Sequence, residues 1–158
     1  MTVRVGIGYD VHQLVPERDL VLGGVTIPSD KGVLGHSDGD VLTHAIADAL
    51  LGAANLGDIG EHFPSSDDNI AGISSLEILK KIRQKILNTG YEIGNIDATI
   101  VLQEPKIAGY LPQIKANLSE ILTIEQSLIS IKATTTDHLG FAGRGEGAAA
   151  MCVASLRK

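Results

Sequence analysis

The sequence is poor in aromatic residues, cysteine and positive charge. Among its 158 residues are two Phe, three Tyr, no Trp and one Cys, and 19 Asp and Glu outnumber 13 Lys and Arg, for a formal net charge of -6. An acidic chain with few rings lacks the basic face and stacking platforms of nucleic-acid-binding proteins, so we expect no nucleic-acid partner. A single thiol, Cys152, cannot build a disulfide framework, and we expect a reducing, cytoplasmic location.

Long apolar runs are also absent. No stretch reaches the roughly 18 apolar residues of a membrane span, and residues 1–8 contain Arg4 but no apolar signal core. We therefore expect neither a membrane partner nor secretion. The length suits one domain, and neither a repeat nor a linker divides it, so we predict a single domain over residues 1–158.

A predicted helix over residues 41–53 carries titratable groups at its start. Apolar residues recur with helical spacing and mark a face that packs on a core. The preceding segment 35–40 reads Gly-His-Ser-Asp-Gly-Asp, and Ser37 or Asp38 would cap the helix, leaving first-turn N–H groups for a phosphate. The polar side of the helix carries three titratable residues at intervals of four positions: Asp40, His44 and Asp48. A solvated acidic face is the alternative interpretation.

A strand is predicted at the chain start, where apolar residues alternate with small or polar ones. Asp10 and His12 end this pattern, and their spacing places both side chains on one face. With His44 they would supply two imidazoles and a carboxylate, the ligand set of a zinc site that keeps its fourth position open. Spacing alone does not bring His44 to the strand, so a chance Asp-x-His pair is the alternative.

The remaining periodicity predicts an α+β domain. A hairpin is expected at 21–28, and strands at 96–102, 129–134 and 148–156. Helices are expected at 74–88, with Ser74 or Ser75 as the cap, and from after Pro105 to 122. Segment 140–147 is too rich in glycine for a helix. About four strands and three helices with short connections predict a mixed sheet with helices packed on one face, as in a ferredoxin-like α/β sandwich.

Several motifs occur in an order that resembles a known family. They are Gly-Tyr-Asp-Val-His at 8–12, His-Ser-Asp-Gly-Asp-Val at 36–41, Gly-Asp-Ile-Gly at 57–60, Lys-Ala-Thr-Thr-Thr at 132–136 and Gly-Arg-Gly-Glu-Gly at 143–147. From about residue 3 to about residue 156 the chain resembles the 2-C-methyl-D-erythritol 2,4-cyclodiphosphate synthase family. The resemblance implies a homotrimeric phosphorus-oxygen lyase of the non-mevalonate (MEP) isoprenoid pathway. It would cyclise 4-diphosphocytidyl-2-C-methyl-D-erythritol 2-phosphate and release CMP.

The resemblance also implies metal ligands. Zn²⁺ would be held by Asp10, His12 and His44, one ion per chain. A second divalent cation, Mg²⁺ or Mn²⁺, would be held by Asp137, which stands where the family normally has the longer Glu. Bound cations would supply the local positive charge that an acidic chain needs for a phosphate substrate.

The resemblance further implies roles in binding the cytidine diphosphate-linked substrate and in catalysis. His36 and Ser37 would orient its phosphate and erythritol parts, Asp58 and Gly60 its ribose, and Lys106, Thr134, Thr135 and Thr136 its phosphates, with His36 and Thr135 also counted as catalytic. An acidic lid is expected at 61–72, where Ser65 replaces the family's usual Asp and Asp67 stands near enough to substitute. Around the trimer axis, a cavity suited to an isoprenoid diphosphate would be bordered by Tyr9, Phe141 and Arg144.

Two other functions fit the same residues. A zinc hydrolase of nucleoside diphosphates would use metal-bound water instead of the substrate's own phosphate as the nucleophile. A nonenzymatic trimer would use the central cavity for an isoprenoid diphosphate, with Arg144 as the anion partner.

Overall fold

The computed structural model describes all residues from 1 to 158. Seven strands and five helices follow in the order β1 (Val3–Pro16), β2 (Leu20–Leu22), β3 (Val25–Ile27), β4 (Lys31–Val33), α1 (Val41–Ala53), α2 (Ile59–His62), α3 (Ser75–Asn88), β5 (Glu92–Val101), α4 (Leu111–Leu122), β6 (Ile129–Thr134), α5 (Gly140–Gly143) and β7 (Gly147–Arg157). Single 3₁₀ turns lie at Asp68–Ile70, Ala108–Tyr110 and Gln126–Leu128. None of the helices combines the length and apolarity needed to traverse a bilayer.

Five strands form one mixed sheet in the order β4-β1-β7-β5-β6, and β2 and β3 form a separate hairpin. β1 runs antiparallel to β4 and β7, while β5 runs antiparallel to β7 and parallel to β6. The predicted α+β class is therefore confirmed. The predicted ferredoxin-like topology is wrong, because that arrangement splits its parallel strands with a third strand, whereas α4 joins β5 and β6 as direct neighbours.

The helices cover one face of the sheet, as the sequence predicts. α1 packs on β1, β7 and β5, α4 packs on β6, and α3 packs against both helices. The core between them is aliphatic and includes Cys152, whose thiol has its pKa raised to about 12 by burial. Such a thiol stays protonated and unreactive near neutral pH. The opposite face of the sheet carries apolar side chains that are exposed in the single chain: Val3, Val5, Ile7, Tyr9, Val11, Met151 and Val153.

Helix α1 touches strand β1 through backbone atoms. A Cβ placed on Gly6 would overlap the carbonyl oxygen of Ala49, and one on Gly8 would overlap that of Ala45. Only hydrogen fits at these two positions, so the axis of α1 approaches the strand more closely than any larger residue would allow. This close approach brings the first turn of α1 beside the second half of β1.

Several predicted boundaries shift in the structure. Strand β1 continues past His12 to Pro16, because β4 and β7 both supply backbone partners there. Gly57–Gly60 is not a simple turn: Asp58 accepts a hydrogen bond from the Glu61 N–H and caps α2. The glycine-rich segment after residue 140 forms the single turn α5, contrary to prediction, and α4 begins only at Leu111. The spans of α1 and α3 agree with the sequence prediction.

Asp40 is fully buried, which contradicts its predicted place on the polar side of the helix and also the alternative of a solvated face. Its carboxylate accepts hydrogen bonds from the backbone N–H groups of Thr43, Gly23 and Gly24 at 2.9 to 3.0 Å. Asp40, and not Ser37 or Asp38, therefore caps α1, and it occupies a first-turn N–H group that we had expected to face a phosphate. Burial raises the pKa of Asp40, and the three N–H groups oppose that rise.

We expect Asp40→Ala to destabilise the protein more than any other single cap removal. It would leave three N–H donors without their partner, and the two that make buried hydrogen bonds, from Gly23 and Thr43, would cost about 1–3 kcal/mol each, so the free energy of unfolding should fall by roughly 3 kcal/mol. Urea unfolding measures this change. The exposed Asp30, whose side chain makes no hydrogen bond, provides the control Asp30→Ala. A loss in Asp40→Ala no greater than in that control would contradict the assignment.

Candidate functional site

The three predicted zinc ligands lie together where β1 passes the first turn of α1. The Oδ2 atom of Asp10 is 2.9 Å from Nδ1 of His12 and 3.2 Å from Nδ1 of His44. One potential ligand atom from each residue falls within 4.8 Å of the others. The side chains are 25%, 17% and 12% exposed, respectively. The close approach of α1 to Gly6 and Gly8 of β1 therefore brings His44 beside Asp10 and His12, a contact that their spacing in the sequence did not predict.

This cluster fits a divalent metal ion. A tetrahedral ion with bonds of about 2.0–2.1 Å separates its ligand atoms by roughly 3.3 Å, close to the two separations around Asp10. Nδ1 of His12 is buried and makes no hydrogen bond, since its contact with Asp10 is poorly directed. A buried ring nitrogen without a partner is costly unless something else occupies its lone pair. A metal ion would satisfy it.

The cluster is electrostatically coupled. Burial disfavours the charged form of His44, but the hydrogen bond to Asp10 and the charges of Asp10, Asp40 and Asp38 outweigh it, so the pKa of His44 is raised. Burial likewise disfavours the Asp10 carboxylate, but its close contacts with the His12 and His44 imidazoles dominate and lower its pKa. Metal binding to His44 therefore competes with its protonation, which these charges favour more than in a free imidazole.

Two serines approach the other nitrogen of His44. Ser75 Oγ lies 2.8 Å from Nε2 of His44, and Ser37 Oγ lies 3.3 Å from it. Ser75 is fully buried. Sequence analysis treated it only as a possible cap of α3, a role that Ser74 fills by accepting the Leu76 N–H. Two serines at a helix start gave no signal that the second would reach the metal cluster.

The other predicted residues near this cluster are more open. His36 is exposed, and its backbone carbonyl accepts a hydrogen bond from the N–H of Gly72, which fixes the end of the predicted lid to this segment. Asp58 and Gly60 lie at the start of α2. Asp48 connects this helix to α1 by accepting the Ile59 N–H at 2.8 Å. Burial, and then the charges of Asp58 and Asp10, raise the pKa of Asp48, although the Ile59 N–H opposes that rise.

The lid residues have local partners. Asp67, the predicted substitute for the family's usual Asp, accepts hydrogen bonds from the backbone and side-chain nitrogens of Asn69 at 3.0 Å and caps a 3₁₀ turn. Ser65 is exposed. The Asp67 carboxylate therefore has a structural role in this conformation.

A second group of predicted residues lies at the opposite edge of the sheet. Thr134 ends β6 and is followed by Thr135, Thr136 and Asp137, beside the loop after β5 that contains Lys106. The N–H of His138 donates to Oε1 of Gln103 at 3.1 Å and joins the two segments. Asp137 is exposed with a positive φ of 52°. No cluster of possible metal ligands forms around it within this chain.

One chain does not bring the two groups together. Val11, Ala149, Val101 and Thr134 form one row across β1, β7, β5 and β6. Three strand spacings therefore separate the metal cluster from the threonine segment, a distance of about 14 Å. The groups share one end of the sheet but not one pocket.

The predicted cavity residues are all exposed in the single chain. Tyr9 lies on the open sheet face, and Phe141 lies in α5. Arg144 forms a two-point ion pair with Glu146, with N–O distances of 2.9 and 3.2 Å. That contact raises the pKa of Arg144 and lowers that of Glu146. A surface cavity of about 620 Å³ lies elsewhere, between the ends of α3 and α4, and none of the predicted site residues lines it.

Comparison with known proteins decides the family. The profile of the YgbB family matches residues 3–157. This chain belongs to the YgbB family. A curated relative of the chain, 2-C-methyl-D-erythritol 2,4-cyclodiphosphate synthase of Desulforamulus reducens, is 56% identical over 156 residues, which cover 99% of both chains. The family resemblance predicted from the motifs is confirmed.

Solved structures of the same family share the fold. The IspF CDP complex of Plasmodium falciparum is 37% identical, with a TM-score of 0.86 over 98% of this chain and 95% of that one. The bifunctional IspDF of Campylobacter jejuni is 41% identical, with a TM-score of 0.94 over 98% of this chain. This YgbB-family chain spans only 42% of the bifunctional protein's length.

Proposed function

We propose that this chain is a metal-dependent phosphorus-oxygen lyase that converts 4-diphosphocytidyl-2-C-methyl-D-erythritol 2-phosphate into 2-C-methyl-D-erythritol 2,4-cyclodiphosphate and CMP. The observation that carries the proposal is the Asp10, His12 and His44 cluster, with ligand-like spacing, in a chain that matches the YgbB family along nearly its whole length. The reaction belongs to the non-mevalonate pathway of isoprenoid precursor synthesis. A cytoplasmic location stays a prediction.

The reaction needs placement more than acid-base chemistry. An oxygen of the 2-phosphate bonds to the β-phosphorus, and the bond from that phosphorus to the bridging oxygen breaks, so CMP leaves with the bridging oxygen. The nucleophile is part of the substrate, and no water is consumed. The site would bind the substrate in the rare folded conformer that brings the 2-phosphate oxygen to the β-phosphorus. Holding the reacting atoms together in this way would account for a large part of the rate acceleration.

The metal cluster is the proposed position of the reacting phosphates. When bound, a Zn²⁺ ion held by Asp10, His12 and His44 supplies positive charge to the phosphate oxygens at the reacting phosphorus. Ser37 has its hydroxyl beside this cluster and would donate to a phosphate oxygen. His36 is exposed on the same segment and would orient the 2-phosphate and the erythritol.

The nucleotide is proposed to contact both groups of residues. Asp58 and the backbone of Gly60 would hold the ribose hydroxyls. Thr134 and Thr135 are exposed and Thr136 is half-buried at the end of β6, and Lys106 is exposed in the loop after β5. The three hydroxyls and the ammonium group would contact the phosphates. Within that group, Thr135 is proposed to act on the transition state, while Thr134 and Thr136 bind. The CDP ligand of the P. falciparum relative supports a cytidine diphosphate-linked substrate.

We place these two groups on neighbouring subunits of a homotrimer. Within one chain they are about 14 Å apart, too far to act on adjacent phosphates. The uncovered face of the sheet supports assembly, since Ile7 is 66% and Val153 46% exposed in the single chain and apolar patches of this kind mark association surfaces. Around the axis, Tyr9, Phe141 and Arg144 would border a cavity for an isoprenoid diphosphate. Arg144 would then exchange Glu146 for the anion.

Product analysis in oxygen-18-labelled water tests the proposed reaction. The intramolecular mechanism gives cyclic diphosphate and CMP, both free of solvent oxygen. A zinc hydrolase would give two linear phosphates, one of which carries the label. A ligand-binding trimer would give neither product above the rate of a heat-denatured control. Either of the last two results overturns the proposed function.

We expect Asp137 to bind the second cation, Mg²⁺ or Mn²⁺, despite its shorter side chain. Oxygen sites for these ions accept a bridging water where a carboxylate falls short. Asp137→Glu should therefore lower the Mg²⁺ concentration needed for the half-maximal rate, and Asp137→Ala should raise it by roughly tenfold. Steady-state rates across a Mg²⁺ titration measure both changes. An Asp137→Ala variant with the unsubstituted protein's Mg²⁺ dependence would refute this role.

A further inference from the structure

Ser75 lies between a carboxylate and the imidazole of a proposed metal ligand. Its hydroxyl makes a short hydrogen bond with Oδ1 of Asp38 and lies 2.8 Å from Nε2 of His44. Its backbone N–H donates to Oδ2 of Asp38 at 2.9 Å. The other imidazole nitrogen, Nδ1, faces Asp10 at 3.2 Å. A continuous chain of contacts therefore runs from Asp38 through Ser75 and His44 to Asp10.

The direction of these hydrogen bonds follows from counting donors. Each oxygen of Asp38 accepts a backbone N–H, Oδ2 from Ser75 and Oδ1 from Asp40 at 3.2 Å. Asp38 is therefore an acceptor, and the single hydrogen of the Ser75 hydroxyl points to it. The same hydroxyl can only accept from His44. Nε2 of His44 must then carry a hydrogen, which leaves the lone pair for a metal on Nδ1.

We propose that Ser75 and Asp38 form a positioning relay that holds His44 as the Nε2–H tautomer, with Nδ1 directed to the metal. This inference rests on the proposed metal site and deepens it. Groups that hydrogen-bond the far nitrogen of a ligating imidazole fix its tautomer and orientation and are typically worth 10- to 100-fold in metal affinity. The relay also leaves Ser37, whose contact with Nε2 is longer, free to turn towards a phosphate.

A purely structural role is the competing explanation. Asp38 accepts the N–H of the first residue of α3, so the same contacts would anchor that helix without affecting the metal. The chain offers a matched control in the adjacent Ser74, which caps α3 from an exposed position and does not contact His44. Ser74→Ala and Ser75→Ala both remove a hydroxyl from the start of α3, but only Ser75→Ala removes one from the relay.

Zinc affinity separates these explanations. Competition with a chromophoric chelator should give a dissociation constant 10- to 100-fold higher for Ser75→Ala, and one within about twofold of the unsubstituted protein for Ser74→Ala. Asp38→Asn should lower zinc affinity by at least as much as Ser75→Ala. Its amide N–H can donate to the Ser75 hydroxyl, which would then donate to Nε2 of His44 and favour the wrong tautomer. The variant with both Asp38→Asn and Ser75→Ala should bind zinc little more weakly than either single variant, because both substitutions act through Nε2 of His44. Unchanged affinity in Ser75→Ala overturns the relay.

The unsubstituted protein gives a test that does not depend on any variant folding. Two-bond proton–nitrogen NMR spectra of the zinc-loaded protein, labelled at histidine, should show His44 with hydrogen on Nε2 and metal on Nδ1. Hydrogen on Nδ1 and metal on Nε2 would overturn the relay while leaving the metal site intact. A protein that binds no zinc would overturn the metal site and the relay together.

Discussion

His44→Ala is expected to remove zinc and turnover together. His44 is one of only three side chains in the cluster, and its loss leaves Asp10 and His12 with two positions to be filled by water. Residues that only hydrogen-bond a metal ligand are already worth 10- to 100-fold in metal affinity, so the loss of a direct ligand should lower the affinity by more than about 100-fold. Metal analysis after dialysis should give about one zinc per chain for the unsubstituted protein and essentially none for the variant.

The control for this experiment is another partly buried histidine. His62 lies in α2, where its Nε2 is 2.7 Å from the carbonyl oxygen of Leu56, and it is not in the cluster. His62→Ala should retain zinc. Full zinc in dialysed His44→Ala would exclude this ligand set, whatever the activity.

Mixing two inactive variants is expected to restore activity. If each site combines the metal cluster of one subunit with the Lys106 loop of its neighbour, His44→Ala and Lys106→Ala damage different halves. In randomly mixed trimers, about one quarter of the interfaces pair an intact cluster with an intact loop. After unfolding together and refolding, the mixture should therefore regain up to about a quarter of the unsubstituted activity.

A second mixture makes the result specific. Asp10→Ala and His44→Ala damage the same cluster within one chain, so no arrangement of these chains contains an intact metal half. That mixture should stay inactive. Mixed trimers of His44→Ala and Lys106→Ala that also stay inactive, once their composition has been verified by mass spectrometry, would show that each site lies within one subunit.

The sequence predicted local structure better than it predicted partners. Periodicity placed α1 and α3 correctly, because each buries one apolar face. Asp40 was predicted on the polar side of the helix, because its burial depends on the two N–H groups of the Gly23-Gly24 turn, which is distant in the chain. Ser75 was assigned to a helix cap, because its contact with His44 exists only after α3 packs on α1. The sequence predicted the three members of the proposed metal cluster, since Asp-x-His and the family motifs are local, but it did not predict the role of the glycines that bring α1 to them.

Strand β1 shows how one element can serve two surfaces. Towards α1 it presents hydrogen atoms at Gly6 and Gly8, while its large side chains at Val5 and Ile7 point away from the chain's own core. Folding of a single chain gains almost nothing from these outward side chains. In the proposed homotrimer, the free energy of burying them would be released only when another copy covers them, so assembly and folding would draw on the same interaction. The melting temperature should consequently rise with protein concentration, and dilution alone should weaken the fold.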